Sequence, residues 1–177
     1  MDSMKFELNS HILIAHWIPG FLLVMAIRPV LIVGSSAPLR SLMGKDIQGG
    51  DAMIALALAV AGFLAGEILD ASRDLLEHIW DRFQRVYWDF FAEAGKDDVE
   101  KLTGSYFTYY VFDCNICLAL LILLLGNSFV NLLGSGLVVA FLLAVLLIFA
   151  VNAWSLRSEI ASQTKRWYQT RQGAVQA

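Results

Sequence analysis

The chain has 177 residues, of which 58% are apolar and 16% charged, and its mean hydropathy is +0.61. A soluble domain runs near 45–50% apolar and about 25% charged, so both departures point toward lipid. They exclude a disordered chain, most soluble enzymes and, with a formal net charge of -3, a nucleic-acid binder driven by positive charge.

A bilayer core about 30 Å thick needs roughly 20 mostly apolar residues in a helix. Four segments qualify by sequence, which predicts an all-α fold with four transmembrane helices (residues 12–33, 52–69, 106–125 and 129–154). The first is Ile12–Ile27, with room to run to Val33. Lys5 before it is offset by Asp2 and Glu7, and no small-x-small cleavage pattern follows, so it reads as a membrane helix and not a leader. Pro19-Gly20 should kink it, and Arg28-Pro29 should end it.

The second span, Ala52–Leu69, is rich in small residues. Ala55, Ala59, Gly62 and Gly66 share one stripe, and Gly62/Gly66 form a GxxxG pair that lets helix backbones approach closely. Beyond it the helical period persists. Ile79, Trp80, Phe83, Tyr87, Phe90 and Phe91 recur mostly every three or four residues, with charged residues on the other side. No Gly or Pro lies between Gly66 and Gly95, so one continuous helix is predicted from about Ala52 to Ala94, its second half projecting into the cytoplasm as part of a 70–103 extension. An aromatic stripe of this kind resembles an interface core, and the short C-terminal tail is all one chain has to cover it. It is therefore assigned to an oligomer or partner interface, the alternatives being packing on the cytoplasmic end of its own bundle and an amphipathic helix lying on the bilayer.

The third and fourth spans, Tyr106–Leu125 and Phe129–Trp154, are joined by Gly126-Asn127-Ser128, which predicts an antiparallel hairpin with a short turn. Gly136, Ala140 and Ala144 give the fourth span its own small stripe. A basic tail, 155–177, follows; its Lys165, Arg166 and Arg171 suit anionic lipid headgroups. Ten of the 13 Lys and Arg residues fall on the side of the termini, and only Arg28, Arg40 and Lys45 on the other. The excess places both termini and the 70–103 segment in the cytoplasm.

Inside the third span lies Asp113. A carboxylate at that depth costs about 2.5–3.5 kcal/mol on insertion scales, so it must pair, protonate or face water. His16, Glu67 and Asn115 fall in the same cytoplasmic-side half and are grouped with it as an intramembrane polar cluster, either an ion or proton pathway or a fixed lock between helices. Cys114 and Cys117 match C-x-x-C, but in an apolar helix they read as packing residues, since the redox motif needs an accessible helix N-terminus. Arg73 and His78 match an R-x4-H ribonuclease pattern, yet five residues is about 140° around a helix, so the side chains diverge. No catalytic constellation, cofactor motif or metal-ligand spacing is present in the sequence, and neither an enzyme nor a nucleic-acid binder is expected.

In length and layout the chain resembles small four-span membrane subunits of bacterial antiphage systems, such as the membrane subunit of Kiwa. The resemblance covers the whole chain at the level of architecture. It implies an oligomeric inner-membrane anchor or effector with a soluble cytosolic partner; a channel or transporter built around Asp113 is the alternative.

Overall fold

The computed structural model describes residues 14–27, 51–130 and 135–175. Every regular element among them is helical: α1 (Ile14–Ile27), α2 (Asp51–Trp80), α3 (Asp89–Glu93), α4 (Lys96–Leu102), α5 (Thr108–Val130) and α6 (Gly136–Val175). A π-helical turn, Thr103–Phe107, links α4 to α5 without a break, braced by the Thr108 hydroxyl donating to the Thr103 carbonyl at 3.0 Å. Contacts between neighbours run antiparallel: His16 meets Glu67, Asp70 meets Asn115, and Tyr110 meets Arg157. The long helices therefore alternate up and down, the arrangement of a four-helix bundle.

Among the described residues two helices are long and apolar enough to cross a membrane, within Lys96–Asn127 and Gly136–Gly173, not the four expected. The 14 described residues of α1 rise only about 21 Å; Arg28-Pro29 and the stretch to Val33 lie outside the described residues. In α2 the side chains of residues 51–55, where the apolar run begins, lie outside the described residues, and past Leu69 the helix carries Asp70, Arg73 and Asp74. The outer surface is nevertheless apolar along all four long helices, with Leu22, Leu64, Ile68, Leu125, Phe141 and Ile148 among the exposed side chains. Contiguous apolar surface on this scale marks a membrane or a large interface.

The α1–α2 seam is built on glycine. A Cβ on Gly20 would stand 2.1 Å from the Gly62 carbonyl oxygen and 2.3 Å from the Gly66 nitrogen; one on Gly66 would stand 2.3 Å from the His16 carbonyl oxygen. Backbone meets backbone there, as the GxxxG spacing predicts, and the Trp17 indole donates to the Ala59 carbonyl at 3.2 Å. The side chain of Ala55 lies outside the described residues. The second small stripe does no such work within the chain: Gly136 faces open space, and Ala140 and Ala144 are exposed.

Helix α2 stops at Trp80, so the continuous helix to Ala94 does not form. In the following Asp81-Arg82-Phe83-Gln84-Arg85-Val86-Tyr87-Trp88 the aromatic and β-branched residues lose rotamer freedom in a helix, and the side chains find better partners by turning. Asp81 accepts from the Val86 backbone N–H and from the Trp88 indole, at 3.5 and 3.0 Å. The Tyr87 N–H donates to the Thr164 hydroxyl of α6 at 3.3 Å. Residues 81–102 thus fold back across the end of the bundle as a cap.

The α5–α6 hairpin also departs from expectation. Gly126-Asn127-Ser128 stays helical, α5 runs to Val130, and residues 131–134 of the connection lie outside the described residues. The supposed tail is the second half of α6, one helix of 40 residues and about 60 Å. Its length supplies the cover the aromatic stripe was thought to lack. Phe90 packs edge-on against Trp167 at 5.5 Å, Tyr87 stacks on Tyr168 at 4.7 Å, and Phe91 meets Phe107 at 5.4 Å. Phe90 and Val86 join the main buried cluster with Tyr110, Val111 and Ile160.

Candidate functional site

Where the cap meets the bundle, a layer of ionised side chains lies between the helices. It starts from spacing on α2: Asp70, Arg73 and Glu77 recur at three and four residues and share one helix face, turned inward. Arg73 is buried; it donates to Asp74 at 2.6 Å and forms ion pairs with Asp70 at 2.5 Å and Glu77 at 3.2 Å. From α6, Arg157 enters the layer fully buried. It donates to the Tyr110 hydroxyl at 2.8 Å, pairs with Asp81, and lies 4.0 Å from Glu77. Its guanidinium also sits 5.4 Å from the Trp80 ring and 5.6 Å from the Tyr110 ring, which themselves meet edge-on at 6.4 Å, an aromatic corner suited to a desolvated cation.

Electrostatics divides the layer. At Arg73 burial disfavours the charge, but Asp70 first, then Asp74 and Glu77, hold its pKa above the ordinary value. Burial dominates at Glu77 and pushes its carboxyl above the usual carboxylate range, although Arg73 and Arg157 pull the other way. One guanidinium shared among three carboxylates cannot neutralise each fully. Buried ion pairs of this kind add little net stability but make loss of either partner expensive.

A second chain of contacts reaches α1. Pro19 has no N–H, which frees the Ala15 carbonyl four residues earlier; Asn115 of α5 donates its amide to that oxygen at 3.2 Å and to Asp70 at 3.4 Å. His16 lies 3.6 Å from Glu67 and 3.8 Å from Asp70. Three of the four residues grouped in sequence as one polar cluster, His16, Glu67 and Asn115, therefore do meet, around Asp70. Asp113 does not join them. It is buried on another face of α5 and accepts from Asn152 of α6 at 2.5 Å.

Sequence reasoning missed Asp70, Arg73, Glu77, Asp81, Tyr110, Asn152 and Arg157 as members of the site. By periodicity alone the acids fall on the solvated side of a projecting helix, and Arg157 falls in a basic tail. A signal was available in the regular three- and four-residue recurrence of Asp70, Arg73 and Glu77 beside an apolar face. Some buried polar atoms of the layer, including Nε of Arg157 and Oδ1 of Asn115, have no hydrogen-bond partner among the described residues.

The remaining assignments fall as follows. Trp80, Tyr87, Phe90 and Phe91 are used inside the chain, whereas Phe83 is 77% exposed and Ile79 56%. Arg171 pairs with Glu93 and lies 5.5 Å from the Trp167 ring, while Lys165 and Arg166 are exposed. Cys114 is buried in the main cluster and Cys117 is half-buried, both as free thiols. The R-x4-H pair diverges: Arg73 is buried in the ion layer and His78 is exposed. No group of His, Cys, Asp and Glu suited to a metal ion occurs among the described residues.

No protein-family model, curated protein or solved structure matches this chain.

Proposed function

We propose that the chain is a homo-oligomeric, multi-pass protein of the bacterial inner membrane, with both termini cytoplasmic, that acts as an anchor and effector by docking a cytosolic protein on its cap. The observation that carries this reading is Phe83. In a segment where Trp80, Tyr87, Phe90 and Phe91 are all packed, Phe83 stands 77% exposed on a turn whose neighbour Asp81 is held by three partners. Leu75, Leu76 and Ile79 extend the exposed row along α2 beyond the apolar 52–69 segment. A rigidly mounted aromatic amid exposed aliphatics has the form of an interface hot spot. The layout shared with membrane subunits of antiphage systems fits such an effector.

The test is capture of a soluble protein from the native cells by the detergent-purified chain. Phe83→Asp and Ile79→Asp should abolish capture while membrane insertion and the thermal transition stay intact; capture unchanged in both variants sinks the reading. Trp80 and Phe90 are unsuitable probes, because their loss disturbs the fold itself.

A second reading, an ion or proton pathway, is favoured by the line His16–Asp70–Arg73–Glu77–Arg157, which places ionisable groups from α1, α2 and α6 in contact. Intramembrane and near-membrane charges of this kind commonly mark conduction routes. It predicts proton or cation flux in proteoliposomes that changes in Asp70→Asn, on that line, and less in Asp113→Asn, which lies off it. Absence of flux in the unsubstituted protein removes it.

A further inference from the structure

One face of α6 carries two grooves end to end. The first, about 570 Å³, is lined by Leu147, Ile148, Phe149, Val151, Asn152 and Ser155. The second, about 380 Å³, is lined by Arg85, Tyr87, Ser158, Ala161, Ser162 and Lys165. Ile148, Val151, Ser155, Ser158, Ser162 and Lys165 follow one another at three- and four-residue steps, so they form a single stripe that changes from aliphatic to hydroxyl to cationic. From Val151 to Ser162 the helix rises about 16 Å, and Trp154, exposed and suited to an interfacial belt, lies between.

The polar end is positively charged by construction. The cap segment brings Arg85 to α6 because Tyr87 is fastened there twice, by its N–H to Thr164 and by stacking on Tyr168. The Arg85 guanidinium lies 5.4 Å from the Tyr87 ring. Neither Arg85 nor Lys165 has a carboxylate partner among the described residues, whereas Arg73, Arg157 and Arg171 all do. No carboxylate lines the groove; Glu159, the nearest acid on α6, is turned to Gln163 at 2.7 Å. Two free cations and two serine hydroxyls are the donor set of a phosphate site.

We propose that this stripe binds one anionic phospholipid, its phosphate held by Arg85, Lys165, Ser158 and Ser162 and an acyl chain lying along Val151 and Ile148. The shared chemistry would also accept a soluble phosphate ester. The apolar groove on the same stripe of α6 as the cationic one commits the site to lipid. The proposal rests on the membrane reading of the chain and adds a specific occupant to it.

The experiment uses the full chain in mild detergent, with dioleoyl phosphatidylglycerol, dioleoyl phosphatidylcholine and glycerol 3-phosphate as probes, read by native mass spectrometry and by thermal shift. One phosphatidylglycerol per chain should be retained in preference to phosphatidylcholine. Arg85→Gln/Lys165→Gln should weaken retention about 25-fold, roughly fivefold for each charge lost near an anionic headgroup. Arg82→Gln, an exposed basic residue outside the groove, should leave it unchanged. Ile148→Asn should weaken the lipid while leaving the Arg85 end intact. Equal retention of the two lipids, or no response to the double substitution in a protein with an unchanged thermal transition, overturns the proposal. Equal protection by glycerol 3-phosphate overturns the assignment to lipid. Carbonate extraction separates the two levels: a chain released from membranes fails the membrane reading, and a chain retained in membranes without phosphatidylglycerol preference fails only this inference.

Discussion

The two ends of the bundle are held together by opposite means. At the apolar end, α1 and α2 touch backbone to backbone through Gly20, Gly62 and Gly66, and the outward surfaces are Leu, Ile, Val and Phe. At the capped end α2 and the turn after it are joined to α6 by ion pairs of Arg157 with Glu77 and Asp81 and by a cluster of aromatic rings. Where hydrophobicity gives no preference for protein over surroundings, close packing of small residues supplies the association. Where the helices emerge, buried charge gives specificity instead of net stability. The apolar end should therefore respond to added volume, and the capped end to lost charge.

The sharpest challenge to this contrast is Arg157→Ala. It leaves Asp81 without a cation and Glu77 with one guanidinium in place of two, and loss of one member of a buried pair costs about 3–5 kcal/mol. Thermal unfolding in detergent should show a drop matched only by loss of a buried ring such as Phe90; a shift no larger than that of an exposed lysine substitution would mean the layer is solvated and contributes little.

Next comes Gly66→Ala. Its methyl group would meet the His16 carbonyl, a backbone atom, so α1 must move, at a cost of about 1–3 kcal/mol. Gly136→Ala, with nothing within 4 Å, should stay within about 0.5 kcal/mol of the parent. Equal effects at the two glycines would dissolve the distinction between the packed and the open small stripes.

A smaller, pH-dependent effect is expected from Glu77. Its folded pKa is raised by burial, so between the unfolded value near 4.3 and the folded value the native state holds a proton that the unfolded state releases. Stability from this group is fully present below the unfolded pKa and is lost as pH rises through the folded one. Melting curves across that window should slope downward with pH, and Glu77→Gln should flatten the slope. A steeper slope in the variant would reverse the sign assigned to Glu77.

The smallest effect should be Phe83→Ala. An exposed side chain away from caps and cores changes stability by about 0.5 kcal/mol or less, whereas Phe90→Ala, buried against Trp167, should lose about 3–5 kcal/mol. Comparable losses would place Phe83 inside the fold and withdraw it from the proposed docking surface.

Several features were legible without coordinates because they depend on local pattern. Helicity throughout, the two clearest apolar spans, the Gly62/Gly66 seam and the burial of a thiol at Cys114 all follow from period, composition and residue size. Periodicity also identified the aromatic stripe, but not its partner. Covering it depended on α6 continuing as a helix past Trp154, which a basic, polar stretch does not announce.

What only the tertiary structure decided concerns choices between equally helical or equally polar alternatives. The end of α2 at Trp80 is one, because Asp81 gains Arg157, the Val86 N–H and the Trp88 indole by turning, and two of these come from the turned segment itself and one from α6. The partner of Asn115 is another: the carbonyl that Pro19 leaves free belongs to a different helix, a hundred positions away in sequence. Asp113 illustrates the same limit, since its depth was readable from the span but its pairing with Asn152 depended on the register of α5 against α6. Sequence determined which segments become helices and which faces are apolar, because those preferences act within a few turns. The meeting of charges depended on helix register and on where each helix stops, which long-range contacts settle.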